Sequence, residues 1–420
     1  MGERRVRVLR GLGAVALAAC ALLAGACGSD DGAGGAVRLN WWAYNEPSGS
    51  FRQAADRCTK ESNGRYRIVF NALGNDPNTQ RQSLVRRLAA KDSSIDLMSM
   101  DVIWTAEFAE AEWILPWPED VAGQVREGTL AGPLETATYD GRLYGAPANS
   151  NTQLLWYRKD LVDKAPATWD ELIDTASDLP EAGRIEIQGA AYEGYTVWFN
   201  SLVQSAGGQI LRGADQVALG PPAVRAAEVI SKLANSKAAD PSLSTQKEDQ
   251  NRIAFESGDA AFQVNYPFIY PSAKDGNPEL FKQIAWAPYP QVDADKPAKA
   301  PIGGFNWGVG GYTKHPEEAF AAAACLRDEQ SQRLYATLGG LPPTLEAVYD
   351  DPKFTETYPF ADPIRKQLDD AAVRPKSPAY ADVSLGVYTA LWPPASINPK
   401  TSVAKLRETI EQALDSRALL

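Results

Sequence analysis

The sequence predicts an α/β protein in two lobes, each a mainly parallel sheet flanked by helices. Three observations lead there. At 420 residues the chain is too long for one ordinary core. Between 37 and 113 strand and helix patterns alternate, the order that gives a parallel sheet covered on both faces. At Tyr144-Gly145-Ala146-Pro147 the alternation breaks, and a strand pattern resumes at Thr152.

Residues 37–43 read as a strand, and 50–62 as a helix that stops near Asn63-Gly64. Tyr66 to Phe70 is a second strand. Residues 79–91 form a helix with Leu84, Val85, Leu88 and Ala89 on one face. Ile95 to Met100 is a third strand, and Trp104 to Trp113 a helix. Beyond the break, Thr152 to Tyr157 is a strand. Thr168-Trp169-Asp170-Glu171 is a capping box, with Thr168 as cap and Glu171 reaching back to the cap amide. Residues 196–206, 222–236 and 248–257 are helical, and Ala260 to Asn265 a strand. Residues 288–301 are a Pro/Lys/Asp connector, and Phe305 to Gly310 is again a strand. A helix over 316–338 starts with Pro316 near its first position and stops at Gly339-Gly340. Residues 401–416 form an amphipathic helix.

Composition removes several chemistries. A single histidine, His315, and three methionines exclude multi-His metal sites and disfavour a His-based triad. The net charge is −11, opposite to what nucleic-acid binding needs. The sequence therefore asks for no metal and no cofactor.

Arg4, Arg5, Arg7 and Arg10 face one acid, Glu3, and residues 12–26 carry no charge. A basic head before a short apolar run is an export signal, too short for a comfortable membrane span. Leu23-Ala24-Gly25-Ala26-Cys27 followed by Gly28-Ser29-Asp30-Asp31 resembles a bacterial lipoprotein signal. By that resemblance residues 1–26 are removed. Cys27 is then lipidated, with a second acyl chain needed for firm anchoring to the outer face of the cell membrane. Cys20 is a rival site, and a signal cut elsewhere or an uncleaved anchor are alternatives. Loss of 1–26 takes away four Arg and one Glu, so the charge moves from −11 to −14. Residues 27–36 read as a flexible tether. Phe51, Ala54, Ala55 and Cys58 put Cys58 on an apolar helix face, and Cys325 lies in a second helical run. Export makes a Cys58–Cys325 disulfide possible; two buried thiols are the alternative.

Ligands of open α/β sheets bind beyond the carboxyl ends of strands. Asn45 and Glu46 follow the first strand, Asp101 ends the third, and Asn149 and Asn151 lie at the break. Each has a plainer reading: 45–49 is also a turn with a helix cap, and Asp101 could cap the helix behind it. The chain also holds eleven Trp and sixteen Tyr. Trp41, Trp42, Tyr266, Trp286 and Trp307 fall near strand ends or loops, although most Trp are core. Flat aromatics beside amides, carboxylates and Arg suit a pyranose. The candidate ligand-binding residues are Asn45, Glu46, Asp101, Asn149, Asn151, Glu193, Tyr266, Gly304 and Phe305, to which the resemblance described next adds Arg374.

Several segments resemble the extracellular sugar-binding proteins of ABC importers. These are 144–147 with Leu154-Leu155-Trp156-Tyr157-Arg158-Lys159-Asp160-Leu161, then 165–172, 255–262, and Ile302-Gly303-Gly304. Within that family the likeness runs to the trehalose-binding lipoproteins of mycobacterial importers, through 101–111, 151–158 and Ala371-Ala372-Val373-Arg374-Pro375. The resemblance implies a two-lobed, periplasmic-binding-protein-like fold. Its first lobe holds 37–148 and 302–350 and its second 152–298 and 366–420, with hinge crossings near 148–152, 298–302 and 350–366. It also implies a monomer that binds a disaccharide such as trehalose and delivers it to the transmembrane subunits of a permease. Asp101 and Asn151 would bind sugar hydroxyls, and Arg374 would close over the ligand. Tyr266 stands where relatives usually have Trp. A glycoside hydrolase using Glu46 and Asp101, or a sugar sensor without a transport role, are the alternatives.

Overall fold

The computed structural model describes residues 35–74, 77–180 and 183–418. The export signal, Cys20, Cys27 and most of the tether lie outside the described residues. From Val37 onward the chain forms one compact unit. Among the described residues no helix is long and apolar enough to cross a membrane.

Nine strands build two sheets: β1 (Val37–Tyr44), β2 (Tyr66–Leu73), β3 (Leu97–Asp101), β4 (Gly145–Asn151), β5 (Leu154–Arg158), β6 (Ile185–Glu186), β7 (Phe262–Asn265), β8 (Ile284–Ala287) and β9 (Gly303–Val309). The first sheet runs β2-β1-β3-β9-β4 and the second β8-β5-β7-β6. The fold is α/β in two lobes, as the sequence predicts. The mainly parallel character is not. In the first sheet β1 pairs in parallel with β2 and β3, but β9 is antiparallel to both β3 and β4. In the second only β7–β6 is parallel. Helical crossovers make β1, β2 and β3 parallel. β4 and β9 carry the chain out of the first sheet and back, so the location of the second lobe sets their directions.

Two sequence boundaries move. The break at 144–147 falls at the start of strand β4, because β4 is a sheet edge and an edge tolerates Pro147. The predicted 316–338 helix is two, Pro316–Leu326 and Glu329–Gly339. Asp328 starts the second by accepting from the Ser331 amide. Thr168 does cap its helix through the Glu171 amide, but the Glu171 carboxylate takes the Ala167 amide rather than the cap's own.

Trp41 and Trp307 are fully buried, and with Phe51 and Tyr335 they pack edge to face in the core of the first lobe. A second core gathers Trp169, Trp198, Tyr195 and Tyr289. A third joins Trp156 and Leu154 of β5 with Ile302, Leu345 and Phe360, and Trp286 packs against it. Trp41, Trp307 and Trp286 are thus committed to packing. Trp42 lies under the Arg87 guanidinium, 3.8 Å from its ring centre.

Cys58 and Cys325 form a disulfide, with Cα atoms 5.9 Å apart, tying helix Ser50–Glu61 to helix Pro316–Leu326. The chain leaves the first sheet at Asn151 and enters the second at Leu154. Gln367 pins that link: its Nε2 donates to the Gln153 carbonyl at 3.0 Å, and its Oε1 accepts from the Tyr289 amide at 2.6 Å. The Ala372 amide donates to the Ala300 carbonyl at 2.7 Å. The segments that pass between the sheets are therefore bound to one another.

Candidate ligand-binding site

The β3–β9–β4 ladder brings the predicted residues to one end of the first sheet. Asp101 pairs with Phe305, Phe305 with Asn149, and Gly303 with Asn151. Phe305 stacks on Tyr44 of β1 with ring centres 5.6 Å apart, so the loop of Asn45 and Glu46 starts beside the same end. Gly304 adopts φ +122°, and a Cβ there would stand 2.3 Å from the Asn149 carbonyl oxygen. Only glycine fits on both counts. Asn149 is buried and its Oδ1 accepts no hydrogen bond within the described protein.

Glu46 is a helix cap. Its carboxylate accepts from the Ser48 amide (2.7 Å), the Ser48 hydroxyl (2.7 Å), the Ser50 amide (3.0 Å) and the Ser50 hydroxyl (2.8 Å). Four donors meet the carboxylate at the start of helix Ser50–Glu61, and the residue is buried, 6 % exposed. These are the bonds that the plainer of its two sequence readings expects. Asn45 beside it is exposed.

The densest polar cluster centres on Arg374. Its Nη1 donates to Glu193 Oε1 at 2.7 Å and its Nη2 to the Ile302 carbonyl at 3.1 Å. Nη2 also lies 3.9 Å from Asp101 Oδ1. Glu193 accepts further bonds from the Tyr380 hydroxyl and from Ser384 Oγ, and the Thr196 hydroxyl lies 2.8 Å from Ser384 Oγ. Glu193 opens helix Glu193–Ser205, where an acid suits the helix dipole. Tyr380 and Ser384 lie one turn apart on helix Tyr380–Ala390. One guanidinium thus joins two helices of the second lobe, the return crossing at Ile302 and the end of β3.

Burial raises the Asp101 carboxyl above the ordinary carboxylate range; Arg374 and the Ile103 amide oppose this, and Glu193 reinforces it. Burial alone would lower the Arg374 pKa, but Tyr380, Glu193 and Asp101 more than reverse it and hold the side chain charged. Tyr266 follows β7 directly, and its amide donates to Asn265 Oδ1 at 2.9 Å. Burial raises the Tyr266 phenol, with Glu248, Asp101 and Glu193 adding and Arg374 subtracting.

Sequence reasoning missed Tyr380, Ser384, Thr196 and Glu248. The available signals were the four-residue spacing of Tyr380 and Ser384 and the three-residue spacing of Glu193 and Thr196. Among the described residues one close group has metal-ligand types, Glu61, Cys325 and Asp328. Its sulfur belongs to the disulfide and both acids pair with Arg57, so it does not serve as a metal site.

The family model for bacterial extracellular solute-binding proteins matches residues 43–333. A probable ABC transporter-binding protein of Deinococcus radiodurans is 26% identical over 343 residues, 77% of this chain and 79% of the relative. A maltotriose-binding protein of Pyrococcus abyssi is 24% identical over 295 residues, 69% of this chain and 63% of the relative. Among solved structures, maltose-bound MalE3 of T. maritima superposes with a TM-score of 0.78 at 24% identity, covering 90% of this chain and all of that one. The cyclo/maltodextrin-binding protein complexed with maltotetraose gives 0.75 at 21% identity, with 90% and 97% covered. These relatives and neighbours are solute-binding proteins and not enzymes. With more than half its length matched, the chain belongs to the bacterial extracellular solute-binding protein family.

Proposed function

We propose that this chain is the substrate-binding lipoprotein of an ABC importer for a disaccharide, trehalose before other α-glucosides. It captures the sugar between lobes 37–148 with 302–350 and 152–298 with 366–420, and hands it to the permease's transmembrane subunits. No bond of the sugar is broken. The observation that carries the reading is the Arg374 cluster, with Glu193 of the second lobe at 2.7 Å and Asp101 of the first at 3.9 Å around one guanidinium. Carboxylates, a planar cation and the Tyr266 ring form a set that can grip vicinal hydroxyls and a sugar face. The curated maltotriose-binding relative supports a saccharide. A ligand touching both lobes favours the closed form by its differential affinity. Anchoring to the outer face of the membrane through Cys27 rests on the sequence pattern of 1–31.

A thermal-shift and calorimetry panel tests this with trehalose, maltose, sucrose, cellobiose and longer α-glucans. Trehalose is expected to raise the melting temperature most, by mass action. Absence of binding across the panel would overturn the sugar reading, and a longer glucan binding best would overturn the disaccharide. Mass spectrometry of the N-terminal peptide reports whether Cys27 carries acyl chains.

A further inference from the structure

The charges around Arg374 do not balance. Two carboxylates, Glu193 at 2.7 Å and Asp101 at 3.9 Å, face one guanidinium, and Glu248 adds to their effect on the Tyr266 phenol. That guanidinium's charge is already offset by the two acids beside it. Both terminal nitrogens are engaged, one by Glu193 and one by the Ile302 carbonyl, and the residue is 9 % exposed. Lys247, next to Glu248 in the chain, is a further cation. Its ammonium sits 4.8 Å from the Tyr192 ring centre and the residue is exposed, so water and salt screen it. Set against Arg374, Asp101 and Glu193 leave one negative charge in excess.

We propose, resting on the sugar-binding reading above, that the crevice selects by charge, admitting neutral and amine-bearing saccharides and rejecting those that carry carboxylate or phosphate. A neutral sugar uses the carboxylates as hydroxyl acceptors. A protonated amine adds Coulomb attraction to the same contacts. An anion meets acids that Arg374 offsets only in part. For groups a few ångströms apart in a partly desolvated site, one unit charge changes affinity by roughly tenfold or more.

The test is calorimetry on the mature chain with derivatives that differ in charge but little in shape. Trehalose uronate is compared with its uronamide, and 6-amino-6-deoxytrehalose with the 6-azide; the amine and azide pair is repeated at C2. If another disaccharide of the panel binds best, the derivatives are made from it. At 50 mM NaCl the uronate is expected at least tenfold weaker than the uronamide, and the amine at least as tight as the azide. Both ratios should shrink at 500 mM NaCl. Glu248→Gln, at a part-exposed site, should narrow the uronate penalty at least threefold. A uronate within twofold of its uronamide, or an amine fivefold weaker than its azide, overturns the proposal. So does a crevice that admits no member of any pair, since it then selects by shape. Failure of every unmodified sugar would instead strike the sugar reading itself.

Discussion

Arg374 Nη1 donates to Glu193 Oε1 at 2.7 Å, joining the strap after Asp370 to the first turn of helix Glu193–Ser205. Because Tyr380 and Ser384 also donate to Glu193, the carboxylate keeps two partners if the guanidinium is removed. Arg374→Ala is therefore expected to cost only about 1–3 kcal/mol of stability. Sugar affinity should fall more than a hundredfold, because Asp101 loses its counter-charge and the ligand loses the residue that links both lobes. Glu193→Gln keeps the shape and should weaken binding about tenfold. Calorimetry beside thermal unfolding separates the two effects, and unchanged affinity in Arg374→Ala would take this residue out of the site.

The disulfide closes a loop of 267 residues. Constraining so long a loop in the unfolded chain is worth on the order of 5 kcal/mol by the chain-entropy account, at the upper end of observed effects. Cys58 and Cys325 sit between helices of the first lobe, on elements other than those that supply Asp101, Arg374 and Tyr266. The double variant Cys58→Ser with Cys325→Ser is expected to melt several degrees lower with sugar affinity within twofold. A melting temperature equal to that of the parent would show that the unfolded chain is already restrained without the bond.

Glu186 is fully buried in the second lobe, and burial first, then the neighbouring Asp240, pushes its carboxyl up from 4.5 to about 7. The folded state thus holds a proton that the unfolded chain has released. Stability from this group is full below pH 4.5 and is lost as pH rises to about 7, by roughly 3 kcal/mol. Glu186→Gln removes that loss and keeps a partner for Asn251, which donates to Glu186 at 3.3 Å. Urea titrations at pH 5 and pH 8 should show the variant more stable than the parent at pH 8 and near parity at pH 5. An equal gain at both would mean that ionisation is not the cause.

What the sequence made legible follows the range of each interaction. Asp101, Asn149 and Asn151 could be placed at one sheet end because strand ends are read from local patterns. Strand direction could not, since β9 reaches β3 only after the excursion through the second sheet. The 316–338 helix was overrun because Arg327-Asp328 has no breaker; the stop comes from Asp328 capping the next helix and from Arg327 turning away to the Val125 carbonyl and Thr129. Glu46 had two readings, and the four nearby donors that make it a cap are visible only once helix Ser50–Glu61 has been built. The Glu193 cluster was hidden for the same reason: Tyr380 lies 187 residues from Glu193, and only docking of their helices joins them.

Gly304 offers the sharpest test of the link between backbone and site. Its φ of +122° disfavours any side chain, and a Cβ would press within 2.3 Å of the Asn149 carbonyl oxygen, a backbone atom that cannot swing aside. Gly304→Ala should cost about 2–4 kcal/mol. Its neighbour is the control: a Cβ on Gly303 would first meet Asn151 Cβ at 3.7 Å, ordinary contact distance, with no left-handed φ. Gly303→Ala should therefore change stability by less than about 1 kcal/mol. Because Gly304 precedes Phe305, the partner of both Asp101 and Asn149, the damage should reach the ligand. Sugar affinity is expected to fall at least tenfold in Gly304→Ala. Equal melting temperatures for the two variants would show that β4 and β9 can part without disturbing the site, and the rigid ladder would then not be what holds Asp101 in place.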